Sequence, residues 1–257
     1  MVEVDAGVAG LFTGGAYALV AVSITLLYRS TGVLSFAHAA FAAAGAYVYV
    51  DLAADRDWPR PLAAIAAVAR ATVYGLVVER VAVRPLASAP PVTRLIATLG
   101  VLTFTTGVLL WRYGFSPITA PLLLPDRAVH VGDVVVPYQQ VAVFVVAAVA
   151  SATLAVFLYR TRFGTAIRAV AQDAEAARLS GVALPSVARF NWALGAALAA
   201  STGVLVAPLQ YVSAGTYPLL LAKSLAATLV GGLASLGLAF VGGLVVGIIE
   251  SVAVVRF

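Results

Sequence analysis

Val8-Ala-Gly-Leu-Phe-Thr-Gly-Gly-Ala-Tyr-Ala-Leu-Val-Ala-Val-Ser-Ile-Thr-Leu-Leu-Tyr28 contains no charged residue, and Arg29 closes it. As a helix, twenty-one residues rise about 31 Å, which matches the hydrocarbon thickness of a bilayer. Glu3 and Asp5 precede the run. A secretory signal starts positive and ends at a small-residue cleavage site, so this run reads as a span. Similar runs recur at 33–50, 62–81, 95–111, 140–159, 190–212, 219–236 and 238–255. The pattern predicts an all-α fold: a polytopic transmembrane helix bundle of about eight spans, as one membrane domain over residues 1–257. The last two runs nearly touch, which predicts either a turn at the glycines around Gly237 or one broken helix.

Composition agrees with a lipid-facing chain. Hydrophobic residues make up 62% and charged residues 11%, with a mean hydropathy of +1.02, whereas a soluble domain is about half apolar. The net charge of +5 is spread between apolar runs, without the single basic stripe of a nucleic-acid binder, which excludes nucleic acid as a partner. The chain has no Cys, so disulfides, thiolate metal sites and thiol nucleophiles are excluded. Gly232 to Gly237 lacks the Lys-Ser/Thr of a phosphate-binding loop and follows no soluble strand. With no nucleotide motif, no His-Glu-x-x-His and no nucleophile elbow, the expectation is a non-enzyme without metal or cofactor of its own.

Arginine placement predicts the orientation. Arg29, Arg80, Arg84, Arg94, Arg160, Arg162, Arg168, Arg178 and Arg189 fall in one set of connections, against only Glu79, Asp173 and Glu175. The other set holds Arg56, Arg60, Arg112, Arg127 and Arg256 against Glu3, Asp5, Asp51, Asp55, Asp57, Asp126 and Asp133. The positive set belongs in the cytosol, which puts the N-terminus outside a multi-pass protein of the cell membrane. An outer, Pro-rich loop at 113–137 carries a β-like run at 129–136, read as a solvated connection or as a small cap on the bundle. Gly10 and Gly14, like Gly243 and Gly247, are four apart, a spacing for close helix packing within the bundle or at a dimer seam.

The inner segment at about 160–189 is polar and helix-compatible, with Ile167, Val170, Ala171, Ala174 and Ala177 at helical spacing and Arg168, Gln172 and Glu175 opposite. Gly181 is placed for a left-handed cap, and Pro185 prevents continuation. One short amphipathic helix with a small-residue face is the expectation.

Glu175-Ala176-Ala177-x-x-x-Gly181 resembles the coupling loop of bacterial ABC importer permeases. Gly14-Gly-Ala-Tyr-Ala-Leu, Gly32-Val-Leu-Ser-Phe-Ala-His38 with Gly45-Ala-Tyr47, Glu79-Arg-Val-Ala-Val-Arg-Pro85 and Ala97-Thr-Leu-Gly100 add to the resemblance. Near the end, Gly231-Gly-Leu-Ala-Ser-Leu-Gly237 precedes Gly242-Gly-Leu-x-x-Gly-Ile-x-Glu-Ser251. Together and in order, these stretches resemble the H-type (LivH/LivM) permease of branched-chain amino acid importers. Two departures stand out: Ala39 occupies a position where that family often has Gly, and the sequence stops at Phe257 where the family usually continues with another helix.

The resemblance implies an import subunit for branched-chain or related amino acids, paired with a homologous second permease or with itself, two cytosolic ATPases that bind ATP-Mg, and an external binding protein. It makes Arg168, Gln172, Asp173, Glu175, Ala176, Ala177 and Gly181 the candidate coupling residues, and Ser35, Phe36 and His38 candidates for the translocation path. Gly14, Gly231, Gly232, Gly237, Gly243 and Gly247 are candidates for packing or turns. His38 is open to two readings, a functional intramembrane histidine or a helix-end residue bonded to backbone.

Arg70, Lys223 and Glu250 interrupt apolar runs, where an unpaired Lys or Arg costs about 2.5–3.5 kcal/mol at mid-membrane. They read either as a coupled ion pathway or as snorkelling and paired groups. The first of these underlies the competing function, a stand-alone ion-coupled secondary transporter.

Overall fold

A computed structural model describes residues 2–131, 134–233 and 235–256. Among them are ten α-helices, in chain order: α1 Val2–Thr31, α2 Ala37–Val50, α3 Arg60–Val78, α4 Pro91–Tyr113, α5 Tyr138–Arg160, α6 Arg162–Gln172, α7 Ala174–Leu179, α8 Leu184–Val206, α9 Thr216–Val230 and α10 Leu236–Arg256. Among the described residues, six helical segments are long and apolar enough to cross a membrane: Ala6–Thr31, Arg60–Leu86, Pro91–Tyr113, Tyr138–Arg160, Leu184–Leu209 and Leu236–Arg256. That is slightly fewer than the eight or so spans expected. The other two apolar runs form α2, of 14 residues, and α9, of 15 residues, each rising only about 21–23 Å. α2 lengthens through a π-turn, Asp51–Asp55.

Small residues decide how the helices pack. In lipid no hydrophobic force drives helix against helix, so association depends on close backbone approach. A Cβ placed at Gly10 would lie 2.7 Å from the Gly247 carbonyl oxygen, and one at Gly14 would lie 2.8 Å from Leu244 Cα. Reciprocally, Gly243 faces Ala18 and Gly247 faces Gly14. The two four-residue glycine spacings of the sequence thus meet each other inside one chain, which makes them a bundle seam and not a dimer motif.

The same device repeats at Gly45 against Ala200, at Gly203 against Ala42, and at Gly75 against Ala196, which binds α2 and α3 to α8. α1 and α8 are consequently central, with 83% and 67% of their spans buried, whereas only 11% of the α4 span is. The buried hydroxyls of Ser23, Thr202, Ser224 and Thr228 donate to carbonyls three or four residues back, so they add no unpaired polar group.

Three boundaries differ from those expected. Pro185 sits in the first turn of α8, where its missing N–H costs nothing, so it opens that helix as well as barring α7 from continuing. The turn near the C-terminal end falls at Gly231, Gly232 and Leu233, with Gly232 at φ +71 and Leu233 at φ 55. Gly237 lies inside α10, near only the Ser235 hydroxyl. The 113–137 loop is largely exposed but tied to the bundle. β1 Ala128–Val131 pairs antiparallel with β2 Val134–Pro137, Ile118 bridges Val212, and Tyr49 donates to the Pro121 carbonyl. Residues 132–133 of the β-like run, Asp133 among them, lie outside the described residues, as do the side chains of Glu3 and Asp5.

Branched side chains at the α1–α10 seam have nowhere to go. Gly14→Val and Gly247→Val should each destabilise the solubilised protein by about 2 kcal/mol or more. Gly107→Ala, on an open face of α4 with no atom within 4 Å, should stay within about 0.5 kcal/mol. Thermal-shift measurement in detergent checks this, and equal effects at the three positions refute the seam.

Candidate functional site

One end of the bundle gathers the α1–α2 link, the α3–α4 connection and the α6–α7 segment around the start of α8. The Arg94 guanidinium donates to the Thr31 carbonyl at 3.0 Å, tying α4 to the end of α1. Glu79, 3% exposed, accepts a bidentate pair from Arg84. Their five-residue spacing suits the π-turn Glu79–Val83 that ends α3. A cavity of about 650 Å³ opens between these elements, with Ser35, Glu79, Arg84, Arg94, Arg178 and Trp192 among its walls.

The segment beside this cavity is two helices where the sequence predicts one. Thr161 caps α6 by accepting from the Gly164 N–H at 2.9 Å. Gly164 is pressed so closely on α5 that a Cβ would lie 2.6 Å from Leu158 Cα. Ile167 and Val170 turn inward and are buried with Leu26, Leu158 and Val187. The chain then breaks at Asp173, whose extended backbone (φ −152, ψ 105) stops α6. The Asp173 carboxylate accepts from the Glu175 and Ala176 N–H groups, both at 2.9 Å, and so starts α7. Asp, a strong N-cap, is what splits the expected helix.

α7 ends as expected. Gly181 has φ +86, and the Val182 N–H donates to the Ala177 carbonyl at 3.0 Å in a left-handed cap. The expected faces need correcting. Arg168 is folded back over the Tyr159 ring at 4.9 Å, Ala177 is buried in the core, and Ala174 is exposed. What α7 presents outward is Glu175, Ala176, Arg178 and Leu179, together with Gln172 and Asp173 just before it. Leu179 is 80% exposed. A bare leucine on a charged tip is the residue that periodicity missed, because its neighbours Arg178 and Ser180 hide it from any apolar pattern.

Of the path candidates, the structure brings only Ser35 to the cavity. Phe36 is half-buried and donates its backbone N–H to Thr98 Oγ1 at 3.1 Å. His38 is buried, and its Nδ1–H donates to the Ser35 carbonyl at 3.2 Å. A carbonyl only accepts, so the proton sits on Nδ1. The ring faces α8 at Gly195, where a Cβ would lie 3.3 Å from Nε2. The backbone-bonded reading of His38 describes these contacts.

The charges within the spans separate. Lys223 of α9 pairs with Glu250 of α10 at 2.5 Å, and the Tyr17 hydroxyl of α1 donates to the same carboxylate at 2.8 Å. Three helices thereby share one neutral unit. Arg70 lies on an exposed face of α3, and among the described residues it makes no ion pair. No cluster of metal-ligating side chains occurs among the described residues.

A family described as branched-chain amino acid transport system, permease component, matches residues 7–256. The chain is similar to the high-affinity branched-chain amino acid transport system permease protein BraD of Pseudomonas aeruginosa, 32% identical and covering 94% of this chain and 83% of that one. It is also 30% identical to the permease protein LivH of Escherichia coli K12, over 95% of this chain and 83% of the relative. A probable LivH of Methanocaldococcus jannaschii is 29% identical over 91% and 75% of the two chains. No solved structure matches.

If Lys223 and Glu250 neutralise each other, Lys223→Met and Glu250→Gln should each lower thermal stability while the double variant loses less than the sum. The coupling should be about 1 kcal/mol, modest because both side chains are about one-third exposed. Additive losses in a double-mutant cycle would contradict the pairing.

Proposed function

We infer the function from one premise: the chain belongs to the family of branched-chain amino acid transport system permease components. It is a multi-pass membrane protein, the permease subunit of an ATP-binding cassette importer for branched-chain or related amino acids, and it works in a complex with other subunits. It transports and is not an enzyme.

We propose that α6 and α7 couple this bundle to the ATPases. The observation that carries the proposal is the build of α7: capped at both ends, seated by buried Ala177, and presenting Leu179 at 80% exposure. A rigid helix with one bare apolar residue among charges has the features of an anchor in a partner's pocket. Two cytosolic ATPases carrying ATP-Mg, a second permease of the same kind and an external binding protein complete the proposed assembly. The second permease would cover part of the apolar rim, where α3 exposes Val73 and Val77 beside Arg70.

The concentration of Arg at the end bearing α6 and α7 supports a cytosolic position for that end and an external N-terminus. The ion-coupled alternative finds no support in the arrangement of Glu250, which is held by Lys223 and Tyr17.

Two experiments test these assignments. Because the chain lacks Cys, a single Cys at Thr165 or Gln172 should react with a membrane-impermeant maleimide only after the cells are opened, and one at Thr119 should react in intact cells. The reverse pattern would invert the topology. Leu179→Asp should lower ATP-driven uptake at least about tenfold, the loss of one anchor, and Gly181→Arg should uncouple hydrolysis from uptake. Full coupling in both variants overturns the role of α7.

A further inference from the structure

The cavity beside α7 lies where the hydrocarbon of the membrane ends. Thr31 closes the span Ala6–Thr31, Arg84 is in the last turn of Arg60–Leu86, Arg94 is in the first turn of Pro91–Tyr113, and Leu184 opens Leu184–Leu209. All four line the cavity, and so does Trp192. From Leu184 to Trp192 the α8 axis runs about 12 Å toward the middle of its span. The space therefore starts at headgroup depth and reaches into the hydrocarbon layer.

Its charge is uncompensated. Arg84 is neutralised by Glu79, but Arg94 donates to the uncharged Thr31 carbonyl and Arg178 is exposed. Among the described residues neither of these two makes an ion pair. Much of the remaining wall is aliphatic, including Val33, Val83 and Val187. A free anion would use the arginines alone and leave that wall wet, whereas a molecule with an anionic head and a hydrocarbon chain satisfies both. At this depth of a bilayer such a molecule is a phospholipid, and basic pockets between helix ends suit anionic headgroups.

We propose that this cavity holds an anionic phospholipid, its phosphate between Arg94 and Arg178 and the first part of an acyl chain along Val83, Val187 and Trp192. A volume of about 650 Å³ takes the head and part of one chain, and the rest of the lipid stays in the bilayer. Such a site needs only that the chain spans a membrane, whatever the bundle transports. Ala174 also belongs to the wall, so the lipid would touch both the spans and the α6–α7 segment.

The test uses the complete complex of this chain with its partner subunits, stripped of lipid in detergent and titrated with phosphatidylglycerol or phosphatidylcholine, while native mass spectrometry counts the bound lipids. Phosphatidylglycerol should fill one high-affinity site per copy of this chain that phosphatidylcholine leaves empty. Arg178→Gln and Arg94→Gln should each weaken that site about fivefold, the worth of one arginine beside an anionic headgroup. Arg160→Gln, at the same end of the bundle but outside the cavity, should leave it unchanged. Glycerol 3-phosphate, a head without a tail, should not compete at equal concentration.

Equal filling by phosphatidylcholine overturns the proposal. So does equal weakening by Arg160→Gln, which would make the effect one of overall charge, and so does competition by glycerol 3-phosphate, which would make this a site for soluble anions. Arg94 also ties α4 to α1, so its variant can lose the fold at that end; unchanged affinity in Arg178→Gln, on the exposed tip, therefore counts against the site by itself. ATP-driven leucine uptake, measured on the same complex returned to lipid with binding protein, separates the two readings. Uptake without the lipid site removes the site alone, and a lipid site without uptake removes the transport reading alone.

Discussion

Close approach of backbones is the constraint on which this bundle depends. Where solvent is hydrocarbon, burying a leucine against a leucine gains little over leaving it in lipid, and stability must come from packing too tight for lipid to replace. The α1–α10 seam of Gly10, Gly14, Gly243 and Gly247 provides it at one side, and the Gly45, Gly203 and Gly75 contacts provide it around α8. Removing side chains where helices cross lets the two central helices be surrounded on all sides. Bulky residues such as Phe104 and Trp111 are then free to face outward.

The same economy governs charge. A lone Lys in a span is costly, but Lys223, Glu250 and Tyr17 converge from three helices into a unit without net charge. Glu79 and Arg84 do likewise at the other end, beside the cavity. The positive excess is left to Arg94 and Arg178, whose positions give the cavity its electrostatic character.

The arrangement around α7 connects these features to the proposed coupling role. α6 is fastened to α5 by Gly164 and to the core by Ile167 and Val170, while α7 is hinged from it at Asp173 and rejoins the spans through Val182 and Pro185. In the proposed role, a push on the exposed tip would reach α8 through a short, capped path. The cavity lies in that path, which places a ligand-sized space between the proposed point of force and the central helix.

The sequence alone determined the solvent, the class of fold and the family, because uninterrupted apolar length, arginine placement and ordered glycine motifs are local properties. It also located the left-handed cap at Gly181, since φ +86 needs a residue without a Cβ. The tertiary structure alone decided that the α6–α7 segment is two helices, that Ala177 is buried while Leu179 is bare, that Lys223 meets Glu250 across 27 residues of chain, and that Ser35, Arg94 and Trp192 share one cavity. Those facts depend on which helix faces which, and in an Ala- and Val-rich chain many faces are equally apolar. Periodicity then carries little information about neighbours, and the choice falls to shape, settled by where glycines let backbones touch.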